Sequence, residues 1–313
     1  MTEYSDLRAA MQEIAQIAGT ACCETGLGDG DSIVCTPKLL PRRLQAKAAE
    51  VAQTINPVNA PSTWDSAGTR SSLVPAEIAV LTSKYWGASP RRLSVSFMES
   101  TPVDLRNRIL SHMNAWQIGI RFAFTNGTGD VRISRGAGGY WSYLGTDIRL
   151  IPSNRPTMNL EGFTMSTLES EYRRVVRHET GHTLGFPHEH LRKELIARLD
   201  RQKTYDYFWE KYRWEHVKVD SNVLTPLDDR TIMGTPTDQT SIMCYQLPGR
   251  ITKDGRPILG GTDINSTDSN FAKRIYPAAS RTPSFDETND SQETTMNEDD
   301  WGEENDVQSP VVD

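Results

Sequence analysis

The sequence predicts an α+β fold in which helices pack on a mixed β-sheet. Apolar and polar residues alternate over 92–98, 120–124 and 130–135, which is the two-residue period of a half-buried strand. Between the first two segments, apolar residues recur every three or four positions from Leu105 to Trp116, which predicts a helix. Residues 147–151 form a fourth candidate strand. Separate strand and helix patterns in one region indicate the α+β class.

Three further helices are expected after these strands. Ser166 and Glu169 match the spacing of a capping box, so a helix should open there and continue through the histidines near position 180. The charged and aromatic stretch 205–214 is expected to be helical, and a last helix is expected near 266–276. A loop-rich region separates these two helices.

Composition limits the classes of protein that this chain of 313 residues can represent. Its hydrophobic content of 37% can fill a core, and no run approaches the roughly 18 apolar residues of a membrane span. The first six residues lack the basic and apolar regions of a signal peptide. The four cysteines do not resemble a disulfide framework. No basic stripe is interleaved with aromatic residues, which argues against nucleic-acid binding.

The chain divides into three expected parts. Residues 1–72 are interpreted as a leader, with helical spacing of apolar residues from Leu7 to Ala18 and from Leu44 to Ile55, and with a linker near its end. Residues 73–277 form the expected catalytic domain. Eleven of the 41 acidic residues but one of the 34 basic residues lie in 281–313, which gives this segment a net charge of −10 and the rest +3. The tail 278–313 is therefore expected to be disordered.

The most specific pattern is H-E-x-x-H-x-x-G-x-x-H, from His178 to His188. His178 and His182 are four residues apart, so on a helix they lie one turn apart on the same face. Two imidazoles in this position can bind one Zn²⁺. Glu179 lies beside this pair, where its carboxylate can take a proton from a water molecule that the metal activates.

The rest of the motif predicts a turn and a third ligand. Gly185 can adopt the left-handed conformation that ends a helix sharply. The chain then reverses and brings His188 to the metal, which leaves one tetrahedral position open, as in a catalytic zinc site. His190 is a competing candidate, but the spacing from the glycine turn favours His188.

A second motif, Ser241-Ile242-Met243-Cys244-Tyr245, lies about sixty residues further on. Together the two motifs resemble those of the metzincin metalloendopeptidases, and most closely those of the astacins, whose zinc motif also continues with Glu and whose Met-turn reads S-I-M-x-Y. The segment Asp263–Asp268 through Tyr276-Pro277 resembles the final helix of that family. The resemblance covers roughly residues 78–277. Cys244 stands where astacins usually have His, and the family's disulfide cysteines are absent from the catalytic region.

The resemblance implies a metzincin-like fold of two subdomains, with an upper subdomain that ends near residue 188 and an irregular lower one over 189–277. It implies that Tyr245 is a zinc ligand at rest and then stabilises the oxyanion. It also implies that Glu189 engages a new N-terminus after maturation. We expect Met243 to form an apolar platform beneath the histidines.

The leader offers three candidates for latency. Astacins cap the zinc with an Asp from the pro-segment and other members of the clan use a Cys. Asp29, Asp31 and Cys35 lie in one Gly- and Asp-rich loop, and any of them could reach the metal. We also expect the strand 130–135 to lie at the sheet edge and to pair with an extended substrate.

The sequence therefore predicts a monomeric zinc-dependent metalloendopeptidase with one catalytic Zn²⁺ and protein or peptide substrates. The alternatives are a zinc-binding interaction protein with vestigial activity and a narrow peptidase that trims short peptides. The compartment stays open, because no signal peptide is visible whereas the family resemblance implies secretion.

Overall fold

A five-stranded mixed β-sheet carries the helices of the upper part of the molecule. The computed structural model describes residues 35–59, 80–81, 84–227, 232–234 and 236–278, all of which belong to one unit, Met1–Ala279. The first predicted leader helix, most of the predicted linker and the acidic tail lie outside the described residues.

The strands are β1 (Val80–Leu81), β2 (Arg91–Phe97), β3 (Ile120–Phe124), β4 (Val131–Ser134), β5 (Tyr140–Ser142), β6 (Met158–Leu160) and β7 (Ile232–Met233). Three of the strands, β2, β3 and β4, lie where alternation predicts them. The large sheet has the order β3-β2-β4-β6-β5, in which β5 is antiparallel to β6 and the other pairs are parallel. β1 and β7 form a separate antiparallel pair. The predicted mixed α+β fold is confirmed.

The prediction of a strand over 147–151 is wrong. Residues Gly145–Leu150 form a 3₁₀ helix, and the buried Ile148 lies three residues before the buried Ile151 that follows the helix, which matches the three-residue period. Gly145 has φ of +47°, which turns the chain away from an extended path. Lys84 anchors the same segment by binding the buried Asp147 carboxylate at 2.6 Å.

The helices follow the apolar periodicity. They are α1 (Gln45–Ile55), α2 (Val103–Met113), α3 (Glu169–Glu171), α4 (Arg177–Thr183), α5 (Lys193–Ile196), α6 (Arg201–Tyr212), α7 (His216–Val219) and α8 (Ser266–Ile275). A π-helical turn, Tyr172–Val176, joins α3 to α4 into one continuous active-site helix over 169–183. Among the described residues, no helix is long and apolar enough to cross a membrane.

The capping box expected at Ser166 is wrong. The active-site helix begins at Glu169, and its N-cap residue is Leu168, which contributes no side-chain cap. Local hydrogen bonds explain the difference: the Thr167 hydroxyl accepts from the Thr164 amide at 3.0 Å, which closes a turn instead of a cap. A complete capping box occurs at α8, between Asn265 and Asp268.

Two hydrophobic clusters fill the molecule. The upper cluster lies between the sheet, α2 and the π-helical turn before α4 and contains Leu93, Val95 and Ile133. The lower cluster surrounds Phe208 and Trp214 of the segment that follows the zinc motif. The expected leader contributes to the upper cluster through Leu40 and Ala48. Asn59 also ties α1 to the body, because its amide donates to the carbonyls of Ala52 and Tyr85.

A buried arginine of β4, Arg132, holds together the loops beside this strand. The Arg132 guanidinium is buried and donates to four backbone carbonyls, those of Gly129, Asp130, Ile151 and Arg155, at 3.0, 3.3, 2.9 and 2.8 Å. Its planar fork satisfies carbonyls from three separate turns at once, which a single ammonium group cannot do.

We predict that Arg132→Lys lowers the free energy of unfolding by about 2–4 kcal/mol, because charge-assisted hydrogen bonds contribute about 1.5–3 kcal/mol each and lysine keeps part of them. Urea unfolding followed by tryptophan fluorescence would measure the change. Arg121→Lys, at an exposed position of the edge strand β3, is the matched control and should change stability by less than about 0.5 kcal/mol. Equal stability of the two variants would contradict this role of Arg132.

Candidate metal centre

The zinc motif folds as its spacing predicts. His178 and His182 lie one turn apart on α4, and both are buried. Gly185 has φ of +95°, and the Phe186 amide bonds back to the Gly181 carbonyl at 2.9 Å, which ends the helix. The chain reverses there and brings the buried His188 back beneath the helix.

Hydrogen bonds fix the tautomers of the two helical histidines. His178 Nδ1 lies 2.6 Å from the Ile242 carbonyl oxygen, and His182 Nδ1 lies 2.7 Å from the Phe186 carbonyl oxygen. A carbonyl can only accept, so each Nδ1 carries the proton and each Nε2 presents a lone pair. Burial lowers the pKa of His178 to about 4 and those of His182 and His188 well below their usual value. Neutral imidazole is the form that binds metals.

The three Nε2 atoms converge on one point. His188 Nε2 lies 3.3 Å from His178 Nε2 and 3.1 Å from His182 Nε2. Zn–N bonds of 2.0–2.1 Å in a tetrahedron place two nitrogens about 3.3 Å apart, so the observed spacing fits a zinc ion. Lone pairs that face one another at this distance repel unless a cation lies between them. The donor set and its spacing therefore fit Zn²⁺.

Cys35 is the fourth member of this cluster. Its Sγ and the ligand nitrogens of His178, His182 and His188 all lie within 4.8 Å of one another, and all four residues are buried. Three imidazoles and one thiolate form a donor set that zinc prefers. Of the three leader candidates, Cys35 is the one that the structure brings to the histidines. Asp29 and Asp31 lie outside the described residues.

Glu179 is 1% exposed and lies on α4 between the two helical histidines. Among the described residues, neither of its carboxyl oxygens has a well-formed hydrogen bond. Burial raises the pKa of Glu179 to about 8, against smaller lowering by the Cys35 thiol and by Arg174. A buried carboxyl group in this situation is costly unless a cation lies close to it, which is a second observation that fits a metal.

Tyr245 lies against the third histidine, with ring centroids 4.3 Å apart. Its hydroxyl donates to the backbone carbonyl of Cys35, so in this arrangement the phenol contacts the leader. His190 stacks on Tyr245 with ring centroids 4.0 Å apart, and its Nε2 lies 3.0 Å from the Asn222 carbonyl. His190 is therefore directed away from the three converging nitrogens.

Met243 packs directly against α4. A Cβ atom placed on Gly181 would overlap Met243 Sδ and would lie 3.1 Å from Trp116 Cζ2. Glycine is thus required between Glu179 and His182 so that the thioether can lie against α4. The sequence did not predict this contact, because it joins residues 62 positions apart.

The expectation that strand 130–135 lies at the sheet edge is wrong. β4 pairs with β2 on one side and with β6 on the other. β5, which pairs with β6, is the edge strand on that side of the sheet. The leader already lies on this edge. Lys38 forms a parallel bridge with Tyr143, and its amide donates to the Ser142 carbonyl at 3.0 Å.

Glu189 is buried below the site. One of its oxygens accepts from the Asp238 amide at 3.2 Å, and Arg192 Nη1 lies 4.0 Å from that oxygen. The backbone amide of Glu189 donates to the Met243 carbonyl, which joins the segment after His188 to the Met-turn. Two residues of this region were missed from the sequence, Ser241 and Asp268, although the N-x-x-D spacing of the α8 capping box marks Asp268.

The chain is similar to solved structures. No family model and no curated protein matches the chain. A structure of myroilysin matches with a TM-score of 0.60 and 30% identity, over 64% of this chain and 98% of that one. High choriolytic enzyme 1, a hatching enzyme zinc-protease from the medaka fish Oryzias latipes, matches with 20% identity and a TM-score of 0.40, over 60% of this chain and 90% of that one.

The myroilysin match, which spans almost all of that chain, decides the family. This chain belongs to the astacin-like zinc metalloproteases of the metzincin clan. The zinc motif, the Met-turn and the mixed sheet of this astacin-like chain agree with that membership.

We predict that Gly181→Ala destabilises this astacin-like protein. Alanine would favour the helix by about 1 kcal/mol, but the overlap with Met243 costs about 1–3 kcal/mol, so the net change should be a loss. Thermal unfolding of Gly181→Ala and Gly127→Ala would test this, because a Cβ at Gly127 meets nothing closer than Thr125 Oγ1 at 3.9 Å. If Gly181→Ala unfolds at or above the wild-type temperature, the packing argument fails.

Proposed function

We propose that this chain is a metalloendopeptidase that binds one Zn²⁺ through His178, His182 and His188 and hydrolyses internal peptide bonds of protein substrates. The observation that carries the proposal is the convergence of three Nε2 atoms next to a buried carboxyl group, Glu179. A zinc ion in this position would act as a Lewis acid that activates water and polarises the scissile carbonyl.

In this proposal Glu179 moves the proton. Its carboxylate accepts a proton from the attacking water and then donates it to the nitrogen of the leaving amine. The raised pKa of Glu179 suits a group that must hold a proton between these two steps, and a nearby dication would lower that pKa towards neutrality. Tyr245, once its hydroxyl leaves the Cys35 carbonyl, can donate to the oxyanion that develops on the substrate.

The path of the leader supports cleavage of internal bonds. Cys35 lies at the metal centre, and Lys38 continues along the edge of β5. An extended segment thus already occupies this edge, and a substrate could bind there in the same way. We therefore place substrate main chain on the β5 edge, where exposed carbonyls and amides can add a strand. This favours an endopeptidase over an enzyme that trims short peptides.

We further propose that the leader, which we place at residues 1–72, keeps the enzyme latent through Cys35. Its thiolate would fill the fourth position of a tetrahedral zinc and leave no place for water. The same residue holds the Tyr245 hydroxyl, and Lys38 covers the β5 edge. One short segment thus blocks the metal, the oxyanion donor and the substrate strand together.

The alternative function, a zinc-binding interaction protein without activity, is not favoured. Binding alone does not require a carboxyl group next to the ligands, and burying Glu179 there is unfavourable unless it has a chemical role.

We predict that Cys35→Ala raises the basal activity of the full chain on a fluorogenic casein by at least about tenfold, because removal of one metal ligand opens a position for water. Cys244→Ala is the matched control, since Cys244 is also buried but is absent from the metal cluster. The proposal of latency through Cys35 is wrong if both variants have the same basal casein cleavage as the wild type. This comparison requires that a wild-type sample cleaves casein once it has been activated.

We also predict that Glu179→Gln, introduced into the Cys35→Ala chain, lowers casein cleavage by about 10²–10⁴-fold, because the proton carrier is lost. Zinc content should stay near one per chain. The matched control is Glu171→Gln, a partly exposed carboxylate of the same helix that pairs with Arg174. Mass spectrometry of the casein fragments would show whether cuts lie inside the chain. Full activity in Glu179→Gln would contradict the proposed mechanism.

A further inference from the structure

The Met-turn connects a buried carboxylate to one of the histidines of the metal centre. Asp268, in the first turn of α8, is fully buried, and its Oδ1 accepts the Ser241 hydroxyl at 2.6 Å. The same hydroxyl oxygen accepts the Met243 amide at 3.0 Å. That amide belongs to the same peptide unit as the Ile242 carbonyl, which accepts from His178 Nδ1 at 2.6 Å.

These hydrogen bonds all run in one direction. The His178 Nδ1–H donates to the Ile242 carbonyl, the Met243 N–H donates to Ser241, and the Ser241 O–H donates to Asp268. Hydrogen bonds in such a chain polarise one another, and the effect is larger where water is excluded. Ser241, Ile242, Met243 and Asp268 are each at most 1% exposed.

We propose that Ser241 and Asp268 are positioning residues for the metal ligand His178. The negative charge of the Asp268 carboxylate acts on His178 through the Ser241 hydroxyl and the peptide unit between Ile242 and Met243. Ligating histidines usually donate their second N–H to a carboxylate or a carbonyl, which fixes the ring and increases its basicity as a ligand. Here His178 donates directly to the Ile242 carbonyl, and the Asp268 carboxylate acts on that carbonyl through the hydrogen bonds between them. The Ile242 carbonyl becomes a stronger acceptor, and Nε2 of His178 becomes a stronger donor to zinc.

Other contacts keep the carboxylate ionised and in place. Asp268 Oδ2 accepts the amides of Ile242 and Asn265 at 2.9 and 3.1 Å. Burial raises the pKa of Asp268 to about 6, whereas these donors and the Ser241 hydroxyl oppose that rise, so the group is charged at neutral pH. This arrangement gives the Met-turn an electrostatic role beyond the apolar platform of Met243.

A comparison of three variants tests this inference, which rests on the proposed zinc site. Ser241→Ala breaks the relay and leaves Asp268 in the α8 cap. Ser241→Thr keeps the hydroxyl. Asn265→Ala is the matched control, because it removes the other side chain of the same capping box but lies outside the relay.

Zinc affinity is measured by chelator competition on the full chain. We expect Ser241→Ala to weaken zinc binding by about 10–100-fold, in line with the loss of an outer partner of a metal ligand, with Ser241→Thr close to wild type and Asn265→Ala within about threefold. Equal affinity in Ser241→Ala and wild type would overturn the relay and leave the zinc site intact. A wild type that binds no zinc would instead overturn the proposed function.

A second readout, by NMR, follows the His178 Nδ1 proton directly. In zinc-loaded wild type labelled with ¹⁵N-histidine, the His178 Nδ1 proton should be observed, and in Ser241→Ala it should move upfield while the His182 Nδ1 proton stays in place. His182 is an internal control, since its Nδ1 donates to Phe186 and has no link to Asp268. Absence of a proton on His178 Nδ1 in wild type, or equal shifts of both histidines, would overturn the inference.

Discussion

The structure depends on three imidazole nitrogens that are held facing one another. His178 and His182 donate their Nδ1 protons to backbone carbonyls, so their Nε2 lone pairs point at His188 at a spacing of a zinc tetrahedron. A zinc ion fits this arrangement. The helix turn, the reversal at Gly185 and the Met-turn each fix one part of this geometry.

The metal centre also explains why the leader segment packs as it does. Cys35 brings a thiol to the three nitrogens, its carbonyl accepts the Tyr245 hydroxyl, and Lys38 occupies the edge of β5. These contacts use the groups that catalysis would need, so in the proposed function latency and catalysis would share one set of atoms. Leu40 and Ala48 join the hydrophobic core, which stabilises this segment far from the metal as well.

The sequence predicted the local geometry of the zinc motif, because i, i+4 spacing and a glycine turn translate directly into a helix face and a reversal of the chain. It left Cys35 as one of three candidates, since only the path of the chain decides which leader side chain reaches a metal more than 140 positions away. The prediction that β4 lies at the sheet edge was wrong. Alternation identified this strand but could not show that β6 and β5 follow it towards the edge of the sheet. Asp268 was missed because its partner, Ser241, is 27 positions away.

The central claim is that one zinc ion is bound by three imidazoles and the Cys35 thiolate in the full-length chain. Zinc X-ray absorption spectroscopy of the purified full chain tests this most directly, since sulfur and nitrogen ligands differ in both scattering and bond length. The account predicts one sulfur at about 2.3 Å and three nitrogens at about 2.0–2.1 Å. A shell of nitrogen and oxygen alone, or one with two or more sulfurs, would contradict it.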